Sequence, residues 1–100
     1  MNIKQKDNHP KNGYFEATID SARAGVMTYT WLGDQRIRID HTEVKEAFSG
    51  KGVGKKILME VIDTARRKSL KIVPECPFVR GVFKKDASIQ DVLDRDEVDF

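Results

Sequence analysis

The residues best equipped for chemistry lie in one stretch, Phe48-Ser49-Gly50-Lys51-Gly52-Val53-Gly54-Lys55-Lys56, and in a short segment on either side of it. Glycines at alternate positions 50, 52 and 54 leave the backbone bare, so its N–H groups can turn toward one anion. A helix expected to open at Val53 adds unpaired amides and a partial positive charge. Lys51, Lys55 and Lys56 add full charges. The chemistry this suits is capture of a diphosphate. A plain loop entering a helix, with its lysines in solvent, fits the same residues equally well. Two nucleotide motifs are excluded. A P-loop needs a longer spacing to its Lys and a Ser or Thr after it, whereas Lys55 precedes Lys56. The dinucleotide fingerprint has two residues before its last glycine, and only Val53 separates Gly52 from Gly54.

Upstream, His41 and Glu43 follow Ile37 and Ile39 at alternate positions. Unbroken alternation places all four on one strand face, so the polar pair would emerge from the core into a cleft; a bulge would change that parity. An imidazole titrates near neutrality and suits a general base. A carboxylate would need burial to raise its pKa. His41 serves equally well as a buried histidine bonded to a neighbouring strand, and Glu43 as a solvated strand residue. Downstream, Cys76 stands between Pro74 and Pro77, which restrict the backbone around it. Its thiol could act as nucleophile or acid, or fill space as a small apolar residue. No set of metal ligands is expected.

Local patterns supply the elements that position these groups. Ile3–Lys6 suits a short edge strand, followed by a turn at Asn8-His9-Pro10. Gly13–Asp20 alternates, with Phe15, Ala17 and Ile19 on one face. Residues 21–24 read as a turn. Val26–Trp31 reads as a strand with Met27, Tyr29 and Trp31 together, and Leu32–Gln35 as a hairpin turn. Arg36–Val44 is the next strand. From Val53 to about Ser69 the period is helical, with Val53, Ile57, Leu58, Val61, Ile62 and Ala65 on one stripe. Leu70–Val73 is a short strand stopped by Pro74. Val79–Asp86 and Ser88–Leu93 look like short helices, the second capped by Ser88. An antiparallel meander followed by a strand–helix–strand crossover is an α+β (mixed α/β) fold.

The chain of 100 residues is expected to form a single domain, residues 1–100, ending in a frayed acidic tail over 95–100. It is 39% hydrophobic and 34% charged, with net charge +2, which suits a globular protein and is too balanced to indicate nucleic acid. No apolar run is long enough for a membrane helix, and the first residues lack the apolar segment of a secretory signal. A single cysteine allows no internal disulfide and fits a cytoplasmic setting.

Residues 46–58, Glu46 to Leu58, resemble the acetyl-CoA loop of GNAT-superfamily N-acetyltransferases: Gln or Arg, two residues, Gly, one residue, then Gly or Ala. Gly52 and Gly54 match the small positions; Ser49 departs from the Gln/Arg position. The chain is similar above all to the small single-domain GNAT-like acetyltransferases. Their pattern is a His-Thr-x-Val strand, the glycine loop, a helix, and a strand running into Pro-x-Cys-Pro-Phe/Tyr. Here these are His41-Thr42-Glu43-Val44 and Pro74-Glu75-Cys76-Pro77-Phe78, and the resemblance covers residues 13–93.

The resemblance implies the GNAT fold, with its two central strands splayed, and acetyl-CoA as cofactor. Gly50, Lys51, Gly52, Val53, Gly54 and Lys55, with Ser49, would face the diphosphate. Thr42 and Val44 would offer main-chain groups to the pantetheine arm, and the Val44 amide would serve as oxyanion donor. Cys76 would lie near the acetyl group, with His41 and Glu43 as candidate bases. Lys84 and Lys85 would border the 3′-phosphate. Phe78 occupies a region where many such enzymes use a Tyr hydroxyl as acid, and Phe cannot donate.

The expected function is therefore acetyl-CoA-dependent N-acetylation of a small amine or a protein lysine, by a monomer or weak homodimer. A non-catalytic coenzyme A-binding module is the alternative. A basic nucleic-acid-binding module is a weaker third, because the aromatic residues are not interleaved with the basic run.

Overall fold

The computed structural model describes residues 1–98. Five strands form one sheet in the order β1-β2-β3-β4-β5: β1 Asn2–Asn8, β2 Asn12–Ile19, β3 Ala22–Trp31, β4 Arg36–Val44 and β5 Lys71–Pro74. The first four pair antiparallel, and β4 pairs with β5 in parallel through the crossover helix α1, Val53–Lys68. A second helix, α2, spans Pro77–Lys85, and a 3-10 segment spans Ala87–Val92.

Alternation is what builds the core. Phe15, Ala17, Met27, Tyr29, Ile37 and Ile39 are buried on one sheet face, and the α1 stripe of Val53, Ile57, Leu58, Val61, Ile62 and Ala65 covers them. Each large side chain so buried contributes about 1.5–3 kcal/mol. Val79 and Phe83 of α2 and Ile89 of the 3-10 segment join the same cluster. The molecule is thus two layers, with helices on one face of the sheet. The other face carries half-buried Tyr14, Glu16, Thr28, Thr30 and Arg38. No helix among the described residues is long and apolar enough to cross a membrane.

Several sequence expectations need correction. The β2–β3 turn is only Asp20 and Ser21, at φ 50° and 67°; two left-handed residues reverse the chain, so β3 starts at Ala22. Pro74 does not stop β5 short but closes its ladder opposite Ile39. Asp86, not Ser88, caps the last segment: its carboxylate accepts the Ser88 N–H at 3.0 Å. The tail is not frayed over its described part. Glu97 binds Arg36 at 3.4 Å, beside the buried Asp94 that precedes the tail and binds the same guanidinium at 3.1 Å, and Val98 is buried in the core. Residues 99 and 100 of that expected tail lie outside the described residues.

At the β1 end of the sheet, one row crosses three strands: Asp7, Gly13 and Tyr29. The Tyr29 hydroxyl donates to Asp7 Oδ1 at 2.6 Å and the Trp31 indole donates to the same oxygen at 2.8 Å, while Gln5 donates to the Tyr29 hydroxyl. Burial alone would raise the Asp7 pKa, but the hydrogen bonds from Tyr29 and Trp31 outweigh it and hold the carboxyl below its ordinary value. A depressed folded pKa means stability that is present above the unfolded value of about 4 and lost as pH falls through the folded one. Melting temperature should therefore drop on acidification below about pH 4, and Asp7→Asn should flatten that part of the profile. An unchanged slope would remove Asp7 from the acid response.

Candidate acyl-carrier cleft

β4 and β5 pair only from Arg36↔Lys71 to Ile39↔Pro74. There the Ile39 carbonyl accepts the N–H of both Glu75 and Cys76, at 3.1 and 3.0 Å, and the chain turns into α2. β4 runs on to Val44, paired only with β3 on its other side. The Lys45 amide donates to Ala24 of β3 at 2.8 Å. Alternation along an antiparallel ladder then turns the amides of Glu43 and His41 to β3, and those of Thr42 and Val44 to the free edge.

Side chains follow a changed parity. Tyr29 faces Ile39 but Thr28 faces His41, so Asp40 is bulged out. His41 and Glu43 consequently leave the Ile37, Ile39 face and stand exposed on the helix-free side of the sheet. The expectation that they continue the apolar stripe is corrected, and the burial that Glu43 would need as a base is absent. Thr42 takes the inward place. Its methyl lies 3.6 Å from where a Cβ on Gly54 would stand, and its Oγ1 is 3.3 Å from Cys76 Sγ. Cys76 is buried at 4% exposure, at the N-cap of α2. The structure therefore brings Thr42, Cys76, Val44 and the glycine loop together, and leaves His41 and Glu43 on the opposite face.

The loop adopts the conformation its glycines permit. Gly50 and Gly52 sit at φ 78° and 71°, with nothing within 4 Å of where a Cβ would be. Gly52 is the N-cap of α1, without a side-chain cap, and the first turn of the helix carries no acid. The positive end of the helix is thus left for an anion from outside the chain. A cleft of about 410 Å³ opens here, lined by Thr42, Val44, Phe48, Gly52, Gly54 and Phe78, with Ser49, Gly50, Val53 and Lys55 completing its rim. Apolar walls beside bare amides suit a long carrier with an apolar arm and an anionic end. The residues present fit acetyl-CoA.

Phe48 and Phe78 were not selected as binding residues from sequence. The signal was an aromatic immediately before the loop and another after Pro-x-Cys-Pro. The Phe78 ring would lie 3.1 Å from a Cβ on Gly54, so this third glycine makes room for an aromatic wall. Lys51 is exposed in the loop. Lys84 and Lys85 are exposed at the end of α2 and lie outside the cleft lining. Next to them, Asp86 is held below the usual carboxylate range by Ser88 and also feels Lys55 and Arg66, which places this end of α2 beside α1. In the rest of the basic run, Arg66 is bound to Asp91 and Arg67 to Asp63. A wider depression of about 580 Å³ lies near Lys71, Asp91 and Asp94. Several of the charges around it are held internally: Lys71 donates to the Asp91 carbonyl, Asp91 binds Arg66, and Asp94 binds Arg36.

Comparisons with known proteins bear on the family and the fold. A family model described as GCN5-related N-acetyl-transferase matches residues 14–92. The solution structure of a GCN5-like protein from Staphylococcus aureus superposes with a TM-score of 0.70 at 35% identity, covering 92% of this chain and 86% of that one. A Bacillus anthracis acetyltransferase structure in complex with acetyl coenzyme A shares the fold at TM-score 0.59 and 16% identity, over 78% of this chain and 47% of that one. Protein NATD1 from Xenopus tropicalis is 28% identical over 61 residues, which is 61% of this chain and 56% of NATD1. The chain thus spans about half the length of the curated relatives it matches.

Proposed function

The chain belongs to the GCN5-related N-acetyltransferase family, and from that premise we propose that it transfers an acetyl group from acetyl-CoA to an amine, a small molecule or a protein lysine. One observation carries the reading. The bare, acid-free N-terminus of α1 and the free amide edge of β4 open into the same cleft.

Bound acetyl-CoA supplies an acetyl group activated as a thioester. The amides of the loop and first turn of α1, with Lys51 and Lys55, bind its diphosphate. Thr42 and Val44 present amides along the free edge that would hold the extended arm, and the Val44 N–H would be available to stabilise a developing oxyanion. Cys76 Sγ, beside Thr42 at the point where the strands part, would be the proton donor to a leaving thiolate held in this cleft. The helices cover one face of the sheet, so the acceptor approaches from the other. There His41 takes the proton that the attacking amine loses. Glu43, exposed on that face, attracts a cationic acceptor rather than serving as base. Lys84 and Lys85 add positive charge toward the nucleotide end.

A non-catalytic carrier-binding role is the second reading, favoured by Phe78, which places a ring without a hydroxyl on the cleft wall. Acetyl-CoA at about 100 times its Kd should stabilise the protein by about 2.7 kcal/mol, raising Tm by about 11–22 °C. Release of free thiol across a panel of amines then separates turnover from binding alone. Full transfer by both Cys76→Ala and His41→Ala would overturn both assignments. A protein that acetyl-CoA does not stabilise would overturn the reading as a whole.

A further inference from the structure

We propose that Thr42 is the positioning residue for the Cys76 thiol: its hydroxyl donates to Sγ and holds the sulfur toward the parting of β4 and β5. The proposal rests on the cleft being the acyl-carrier site, and deepens that reading by assigning the group that governs the thiol.

The bulge at Asp40 decides the matter. By simple alternation His41 would be the side chain nearest Cys76. Instead the extra residue turns His41 to the helix-free face and brings Thr42 inward, where its Oγ1 is 3.3 Å from Sγ. The backbone of Cys76 is already fixed. Its N–H donates to Ile39, its carbonyl accepts from Arg80 at 2.9 Å, and Pro77 follows it. The remaining freedom of the residue is rotation of the thiol about its own side-chain bond. A β-branched partner is stiff in the same torsion, so its hydroxyl stays where the strand puts it.

Threonine also suits this place better than its near relatives. The hydroxyl meets Sγ, the methyl faces Gly54, and the backbone amide points to the free edge. Valine would keep the shape and lose the donor. Serine would keep the donor and lose the methyl that faces Gly54. A thiol that gives up its proton leaves a thiolate, and a hydroxyl donor favours that charged form.

Cys76 is the chain's single cysteine, so its reaction with iodoacetamide reports on this sulfur alone. In that reaction Sγ displaces iodide and the thiol proton passes to solvent. Thr42→Val should react about tenfold more slowly than the parent near neutral pH, as expected for loss of one hydrogen bond to a charged group. Thr42→Ser should stay within about twofold of the parent. Circular dichroism checks that each variant is folded, and Thr42→Ala replaces the valine variant should that one repack. In acetyl transfer, Thr42→Val should lower kcat by about tenfold with little change in KM for acetyl-CoA, and Thr42→Ser should restore most of it. A valine variant that alkylates as fast as the parent, or a serine variant as slow as valine, overturns the proposal. The alkylation arm needs no acetyl-CoA. If the parent neither binds nor uses acetyl-CoA, the functional reading fails while this arm still decides whether Thr42 governs the thiol.

Discussion

Gly52→Glu should remove coenzyme A binding while leaving the protein folded. Calorimetry should show affinity at least about 100-fold below the parent, a loss of about 2.7 kcal/mol or more. Gly52 is the N-cap of α1 at φ 71°, and a Cβ there would meet nothing within 4 Å. The new side chain therefore enters the mouth of the cleft without a clash. Its fold cost is that of a left-handed non-glycine residue, about 1–2 kcal/mol. Its binding cost is of another kind. The first turn of α1 carries no acid, and a carboxylate placed there would occupy the amides itself and repel the diphosphate. Gly52→Ala separates the two effects, since it keeps the backbone strain and omits the charge; it should retain most of the affinity. If Gly52→Glu binds like the parent, the diphosphate is held elsewhere and the cleft has been misassigned.

The parts legible in the sequence were those governed by local rules. The α1 stripe recurs every three to four residues, and all six of its apolar members are buried. β4 occupies the expected Arg36–Val44, because a turn precedes it and the glycine-bearing loop follows it. What escaped depended on long-range register. Nothing in the residue type of Asp40 announces a bulge. It forms because β3 and β4 slip by one position between Tyr29 and Thr28, and that slip alone moves His41 out and Thr42 in. Ser21 at φ 67° was equally unreadable, since serine seldom takes that conformation. The tail looked acidic and loose because its anchors are scattered among charges. Glu97 finds its partner only in Arg36 of a distant strand, and Val98 is a lone apolar residue among acids that the fold buries. The cleft's chemistry was visible in Gly50, Gly52 and Gly54, whereas the tie between Thr42 and Cys76 required knowing which way a strand faces.

Gly13→Val tests that dependence on register from the other end of the sheet. A Cβ at residue 13 would fall on the Tyr29 hydroxyl and stand 2.7 Å from the Lys6 carbonyl oxygen. The Tyr29 ring lies across Gly13 to reach Asp7 on β1, so the ring cannot give way without breaking its bond to Asp7. The backbone of β1 cannot give way without disturbing the pairing of Asp7 with Gly13. Overpacking of this kind costs about 1–3 kcal/mol, and the added loss of a buried hydrogen bond brings the expected destabilisation to about 3 kcal/mol or more. For a chain of this size that is a large part of the total. Urea denaturation should show the midpoint fall sharply, and Tyr29→Phe in the same background should recover little, since the ring still occupies the space. The effect should also reach the cleft. Tyr29 is the residue at which β3 and β4 slip, with Ile39 opposite it and the Asp40 bulge next along the chain. A displaced Tyr29 loosens the register that sends Thr42 toward Cys76. In the fraction that stays folded, coenzyme A binding should therefore weaken, although Gly13 is remote from the lining of the cleft. A Gly13→Val protein that keeps the parental midpoint, or that loses stability and still binds with parental affinity, would show that the bulge does not depend on this row.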